Sequence, residues 1–303
     1  MLYQKNAAEK LDDALFQNPT SEYRGAPFWA WNCKLSKEIL LEQIEALKQM
    51  GFGGFHMHSR SGMATPYLSD EFMSLVTACI QKAEDENMLA WLYDEDRWPS
   101  GTAGGKVTKD PCYRQKYLYF TMEREENTVS PEEGYQTGNP YLIGCYDIVL
   151  NASGELDAYR KIDETEAVQG EKWYAYIKTP EPSGWVNNQT DVDTMDKKAI
   201  DRFLKVTHER YKEYAGDKFG KSVPAIFTDE PRFAFKTTLP FADSKQSVTL
   251  PWTTDFAQTF QNTYGFDILK KLPELIWNLP QGKISQARYY FHDHACERFA
   301  SAF

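Results

Sequence analysis

The sequence of 303 residues lacks the features that mark several protein classes. Its five cysteines are scattered, odd in number and without a C-x-x-C pair. This argues against a disulfide scaffold or a zinc site of that type and favours reduced thiols. No stretch of eighteen apolar residues occurs, and the N-terminal residues MLYQKNAAEKLDDALF lack the apolar core of a signal peptide. We therefore expect a cytoplasmic chain without a membrane-spanning helix.

Basic charge and phosphate-binding motifs are also scarce. Lys and Arg total 34 against 44 Asp and Glu, a net charge of −10, so nucleic acid and anionic membranes are poor partners. The GTAGGKV stretch lacks the first glycine and the Ser/Thr of a phosphate loop, and no G-x-S-x-G elbow of a serine hydrolase occurs. With 42% hydrophobic and 15% aromatic residues, the chain can still bury a sizeable core.

The first third of the chain alternates short apolar strands with amphipathic helices. Strands are predicted at 26–32, 52–58 and 89–94, with helices between them that begin after Ser36 and Ser69. Successive strand–helix–strand units of this length indicate parallel strands joined by right-handed crossovers.

The pattern changes after Trp98. Polar turns separate runs with strand character at 117–122, 141–150 and 172–177, which predicts an inserted antiparallel β subdomain. A fourth parallel strand is predicted at 223–230. Helical spacing is found at about 200–214, 253–277 and 284–303.

The predicted fold class is α/β, of the (β/α)8 TIM-barrel type, with only the first four βα units present and the insertion after the third strand. A full barrel needs about 250 residues even without an insertion. The predicted domains are 1–110, the first three units; 111–190, the β-rich insertion; and 191–303, the barrel continuation. A half barrel exposes a strand edge and an apolar face, so we expect a homo-oligomer or a piece of a longer parent chain.

Polar side chains follow all four predicted parallel strands, where active sites form in such folds. The first strand ends in Trp31-Asn32, the second carries the histidines of HMH, the third ends in DEDR and the fourth in DE. The predicted substrate-binding residues are Trp31, Asn32, His56, His58, Arg60, Asp94, Asp96, Arg97, Trp98 and Asp229.

Glu230 is the first candidate for a catalytic residue. It ends an apolar strand and precedes Pro231, which favours an extended backbone, and partial burial would raise its pKa as a general acid requires. Glu95, within the acidic triplet 94–96, is the candidate second carboxylate.

His56 and His58 lie two residues apart on one strand, so their rings share a face. Such a pair is a metal-ligand pattern in some hydrolases, but the metal ligands of this chain remain unknown because no third ligand is evident. Hydrogen bonding to substrate hydroxyls is the other interpretation.

Five stretches taken together resemble the α-L-rhamnosidase-like glycoside hydrolases of family 106 and their uncharacterised bacterial relatives. They are PFWAWN, GGFHMHSRSG, YLSDEF, AWLYDEDRWPSGTAGG and FTDEP, within 26–110 and near 223–232. The resemblance implies a catalytic barrel, two-carboxylate glycoside hydrolysis with inversion, and a calcium ion near the substrate. It places Glu230 as the fourth-strand acid and Asp94-Glu95 as the third-strand acidic pair, whereas family strands five to eight have no counterpart here.

Three functions follow as hypotheses. The first is hydrolysis of a glycosidic bond by two carboxylates, with a carbohydrate as substrate. The second is a non-catalytic, carbohydrate-binding barrel fragment. The third is a metal-dependent hydrolase that uses His56 and His58.

Overall fold

A computed structural model describes residues 9–10 and 12–303. The chain falls into two compact units. The first runs to Lys106 and also contains Arg202–Pro231, and the second contains Val107–Asp201 and Arg232–Phe303. Residues 232–303, expected to continue the barrel, therefore group with the β-rich insertion.

The described residues form nine strands and eight α-helices. The strands are β1 (Phe28–Trp31), β2 (Gly54–Ser59), β3 (Leu89–Tyr93), β4 (Lys116–Thr121), β5 (Tyr141–Leu150), β6 (Leu156–Ile162), β7 (Glu171–Lys178), β8 (Ile226–Phe227) and β9 (Val248–Trp252). The helices are α1 (Asp13–Gln17), α2 (Lys37–Gln49), α3 (Asp70–Asp85), α4 (Pro131–Thr137), α5 (Lys197–Val206), α6 (His208–Ala215), α7 (Phe256–Tyr264) and α8 (Gln286–Ala302). Over these residues, no helix combines the length and apolar character that crossing a bilayer requires.

The first unit is built on a parallel sheet with the order β1-β2-β3-β8. The parallel pairing is as predicted, but the fourth strand is only two residues long. Although β1 and β8 are the two edge strands, the Phe28 and Phe227 rings lie 5.0 Å apart, so the sheet is strongly curled. Within the described residues no hydrogen bonds join these edges, so closure into a TIM barrel is not confirmed.

Helices α2 and α3 cover one face of this sheet. The Ser69 hydroxyl accepts the N–H of Phe72, which confirms the predicted start of α3, and the predicted apolar face of α3 is buried throughout. Trp31 lies on this helix-facing side, 1% exposed and edge-on to Phe72. At Gly54, an added Cβ would lie 2.4 Å from the Leu89 carbonyl oxygen, so the close pairing of β2 with β3 requires glycine.

The second unit contains the antiparallel sheet β6-β5-β7-β4-β9. The expected antiparallel insertion is present, but two of its five strands, β6 and β9, were not predicted. Pro251 lies within β9, which is an edge strand and so tolerates a residue without an N–H. The rings of Phe120 and Trp173 stack 5.3 Å apart in a core that also includes α7 and α8.

A buried ion pair holds the start of β4. Lys116, 1% exposed, donates to the carbonyl oxygens of Cys112 (2.9 Å) and Arg114 (3.0 Å), and its Nζ lies 3.7 Å from Asp193 Oδ2. Thr253 donates its hydroxyl to the same carboxylate at 2.7 Å. Burial raises the pKa of Asp193 to about 6, and the positive charge of Lys116 opposes that rise.

Candidate functional site

One face of the curled sheet carries a row of aromatic rings. In the parallel register Phe28 lies beside His56, His56 beside Trp91, and Tyr93 beside Phe227, so side chains from all four strands share this face. His56 stacks on Trp91 with ring centroids 5.0 Å apart. Phe28 is 58% exposed, so part of this aromatic face is open to solvent.

His58, Tyr93 and Asp229 form a group at the carboxyl end of the sheet, in which His58 and Tyr93 are buried and Asp229 is half-buried. The His58 ring stacks on Tyr93 at 3.9 Å, the Tyr93 hydroxyl donates to Asp229 Oδ2 at 3.1 Å, and His58 Nε2 lies 3.8 Å from the same oxygen. Burial lowers the pKa of His58 to about 4 and raises the pKa of Asp229. At neutral pH this histidine is therefore uncharged.

Glu230 differs from its sequence-based description in two ways. Its backbone has φ of +43°, in the left-handed region rather than the extended conformation expected before Pro231, and its side chain is exposed rather than partly buried. Trp98 Nε1–H donates to Glu230 Oε2 at 2.6 Å and orients the carboxylate. This contact brings together two of the predicted site residues.

Asp94 is fully buried and its carboxylate is saturated. The Ser100 hydroxyl donates to Oδ1 at 2.5 Å, the Thr228 hydroxyl donates to Oδ2 at 2.7 Å, and His208 Nε2 lies 3.1 Å from Oδ2. Ser100 Oγ also accepts the N–H of Asp229 at 2.8 Å. Asp94 therefore joins the ends of β3 and β8, and its geometry argues against the predicted contact with substrate.

Glu95 is also fully buried, with both carboxylate oxygens held by main-chain N–H groups. Oε2 accepts from Gly101 (3.0 Å), Thr102 (2.7 Å) and Ala103 (2.8 Å). Oε1 accepts from Asp96 (2.9 Å) and Gly104 (2.5 Å). Burial raises the pKa of Glu95 to about 7 and the N–H bonds oppose the rise. A carboxyl whose pKa is near 7 suits a general acid. Both oxygens of Glu95, however, already accept hydrogen bonds from the main chain, so the geometry favours a structural role.

The loop that surrounds Glu95 depends on its glycines. Gly101, Gly104 and Gly105 have φ of +133°, +64° and +84°, and Ala103 has φ of +52°. Such left-handed residues turn successive N–H groups toward one point and create a concave anion site from the main chain. The GTAGG stretch, interpreted above as a flexible turn, is the segment that holds the carboxylate.

Other predicted site residues are dispersed. Trp31 is a correction, because strand alternation places it in the core beneath α3, away from the aromatic face. Asn32 is exposed and Arg60 is half-buried. Asp96 is buried, and its Oδ2 forms an ion pair with Arg97, whose Nε lies 3.3 Å away.

The residues do not fit the implied metal sites. Calcium takes six to eight oxygen ligands, whereas the oxygens of Asp94 and Glu95 are already occupied by hydroxyl and N–H donors. His56 Nδ1 lies 3.1 Å from the Ala26 carbonyl. Across residues 9–10 and 12–303, no group of three or more His, Cys, Asp or Glu side chains comes together as a metal site.

Sequence reasoning missed several residues of this region. Phe28, Trp91, Tyr93 and Phe227 share the face of His56 and His58, and their alternation along adjacent strands was the available signal. Ser100 has no comparable signal, because its role depends on the path of the loop after Pro99.

Comparison with family models finds no match, and comparison with curated proteins finds none either. Among solved structures, the fold is similar to that of the rhamnosidase from Novosphingobium sp. PP1Y, with a TM-score of 0.60 and 13% sequence identity. The similarity covers 96% of this chain and 45% of that one, so this chain spans less than half the length of the rhamnosidase. At this identity the likeness establishes the fold alone: the chain has a rhamnosidase-like fold.

Proposed function

We propose that the first unit binds a carbohydrate on its aromatic face and hydrolyses a glycosidic bond with carboxyl groups at the end of β8. The observation that carries the proposal is the pair Asp229 and Glu230. Two adjacent carboxyls lie in different environments, one partly buried and one exposed, beside an open row of aromatic rings. Rhamnosidase-like specificity is the finer form of the proposal, supported by the fold likeness and the sequence resemblance.

Asp229 fits the acid role better than Glu230 does. A general acid must hold a proton near neutral pH, and the burial of Asp229 raises its pKa. Exposed Glu230 is suited to the base, oriented by the Trp98 N–H. In this scheme Asp229 takes the place of Glu95 in the catalytic pair, because the loop encloses both Glu95 oxygens.

The proposed reaction needs no further group. Asp229 gives its proton to the glycosidic oxygen as the bond from that oxygen to the anomeric carbon breaks, and the leaving group departs as an alcohol. A water molecule adds to the anomeric carbon and gives its proton to Glu230. Proton exchange with solvent then restores both carboxyls.

The test is hydrolysis of a panel of nitrophenyl glycosides that includes the α-L-rhamnoside. We expect Asp229→Asn and Glu230→Gln each to lower kcat at least about 100-fold. Glu42→Gln, an exposed change on α2, is the matched control and should leave kcat unchanged. Full activity in both site variants would refute the assignment.

A non-catalytic carbohydrate-binding role is the second candidate, and the enclosure of Glu95 favours it. With that carboxylate unavailable, the reacting groups would come from one strand end only. Calorimetric binding of an oligosaccharide that is weakened by Trp91→Ala, with no turnover on the whole panel, would establish this role instead.

A further inference from the structure

The Tyr93 ring lies at the end of β3 and its orientation is fixed on several sides. The residue is fully buried, and its ring stacks on His58 at 3.9 Å and lies 6.1 Å from the Phe227 ring, so side chains of both adjacent strands pack against it. The Tyr211 hydroxyl from α6 donates to the Tyr93 carbonyl oxygen at 2.9 Å and holds the main chain at the same position. In a closely packed interior such a ring has little freedom to turn, so the fold sets the direction of its hydroxyl.

This hydroxyl donates to one oxygen of the proposed acid. Tyr93 Oη lies 3.1 Å from Asp229 Oδ2, and burial together with the negative charge of Asp229 raises the pKa of the phenol, which therefore stays protonated at neutral pH. In a protonated carboxyl group, one oxygen carries the proton while the other remains a full acceptor. With Oδ2 accepting from Tyr93, a proton on Oδ1 leaves that contact intact.

The main chain of Asp229 is held separately, by Ser100. The Ser100 N–H donates to the Asp229 carbonyl oxygen at 2.8 Å, and the Asp229 N–H donates to Ser100 Oγ at 2.8 Å. With the main chain held in this way, the freedom that remains to the carboxyl group is rotation about its side-chain torsions. The Tyr93 hydroxyl restricts that rotation, so its loss should release the carboxyl group and leave the main chain in place.

Burial is the largest influence on the pKa of Asp229 and raises it, whereas the hydrogen bond from Tyr93 opposes the rise. The charged or titratable side chains that also face this carboxyl group are Glu230, Arg60, Asp94 and His58. The two acids raise the pKa of Asp229 and the guanidinium lowers it, while the imidazole is uncharged at neutral pH. Tyr93→Phe leaves all four groups in place, so a change in this pKa reports the lost hydroxyl.

We propose that Tyr93 is a positioning residue for Asp229. Its hydroxyl holds Oδ2, so Oδ1 carries the proton that passes to the glycosidic oxygen as the bond from that oxygen to the anomeric carbon breaks. Tyr93 acts through Asp229 and needs no contact with the substrate. This assignment rests on the proposed function, because it concerns how the acid of that reaction is held.

The first measurement follows the Asp229 carboxyl group itself, by NMR titration of the full chain labelled on its aspartate carboxyl carbons. Asp229→Asn identifies the signal. Tyr93→Phe should raise the pKa of Asp229 by about one pH unit, because a donor to the charged form is lost. Tyr146→Phe is the matched control, since Tyr146 is also buried and donates its hydroxyl to the Leu269 carbonyl oxygen at 2.7 Å in the other unit. This control should leave the pKa of Asp229 unchanged.

The second measurement is the pH profile of kcat on a nitrophenyl glycoside that the parent chain hydrolyses. The fall in kcat on the basic side, where the acid loses its proton, should move to higher pH by the same amount in Tyr93→Phe. At the optimum, kcat should fall at least about tenfold and KM should change less than about twofold, because the acid loses its orientation while the substrate contacts remain. A merely structural role would lower kcat without moving the profile.

A ring-fluorinated tyrosine in place of Tyr93 provides a second variant if Tyr93→Phe does not fold. Its hydroxyl is more acidic and donates a stronger hydrogen bond, so the pKa of Asp229 should fall instead of rising. A pKa of Asp229 that is unchanged in the Tyr93 variants, or that rises equally in Tyr146→Phe, would overturn the assignment. Absence of hydrolysis by the parent chain would instead refute the proposed function, and the carboxyl titration would still decide whether Tyr93 holds Asp229.

Discussion

The two units bury carboxylates in opposite ways. In the first, Glu95 is held by five main-chain N–H groups of one loop. In the second, Asp193 is held mainly by side chains, Lys116 and Thr253. Burial raises the pKa of both carboxyls, to about 7 and about 6, and the two sites differ in the donors that oppose this rise. A side-chain partner can be replaced together with its acid, whereas a main-chain partner cannot.

Glu95→Met gives the largest expected effect. It leaves five buried N–H groups without their acceptor, at about 1 kcal/mol each, so the free energy of unfolding should fall by about 5 kcal/mol. Chemical denaturation measures the loss, with Glu42→Met on the surface of α2 as the control.

If that variant does not fold, Glu95→Gln retains one acceptor oxygen and should lose an intermediate amount. A loss below about 1 kcal/mol in both variants would contradict the role assigned to the loop.

Lys116→Met should destabilise the second unit by about 3 kcal/mol, because it leaves Asp193 buried without its cation. The loss is smaller than for Glu95, since Asp193 can take up a proton as its pKa rises further. Adding Asp193→Asn should recover at least half of the loss, as measured by a double-mutant cycle.

Recovery of stability in the Lys116–Asp193 double variant would sharpen the contrast between the two units if no side-chain change around Glu95 gives a similar recovery. An additive double variant would contradict it.

The smallest effect concerns pH. The pKa of His58 is about 4 in the folded chain and about 6.5 when unfolded, so between these values the unfolded chain binds more protons and stability falls as pH falls. Between pH 7 and pH 5 the free energy of unfolding should therefore fall by about 2 kcal/mol.

The check is the stability difference between the parent chain and His58→Gln at the two pH values. A difference that does not change with pH would show that His58 gains its proton equally in both states.

Patterns that repeat along the chain were predictable. The helix-facing residues of α3 recur at helical spacing, and its cap at Ser69 uses a side chain visible in the sequence. The four parallel strands also follow from periodicity. The short edge strand β9 was missed because Pro251 is typical of loops, and β6 because most of its residues are exposed and polar.

The site was less predictable, because its geometry depends on strand register and on the main chain. Trp31 and Trp91 are the same residue type at strand positions, yet one faces α3 and the other lies beside His56. The expected backbone of Glu230 was wrong, since its left-handed φ is set by the turn into the following loop and not by Pro231. The partners of Glu95 are N–H groups, which every residue except proline carries, so no residue type identifies them.

The loop around Glu95 has a dynamic consequence. Five consecutive or nearby amide protons, from Asp96 and from Gly101 to Gly104, are buried in hydrogen bonds although none belongs to a helix or strand. They can exchange with solvent only when the loop releases the carboxylate, so their opening is one cooperative event rather than five independent ones. A segment of irregular chain should thus show the slow amide exchange usually associated with the centre of a sheet.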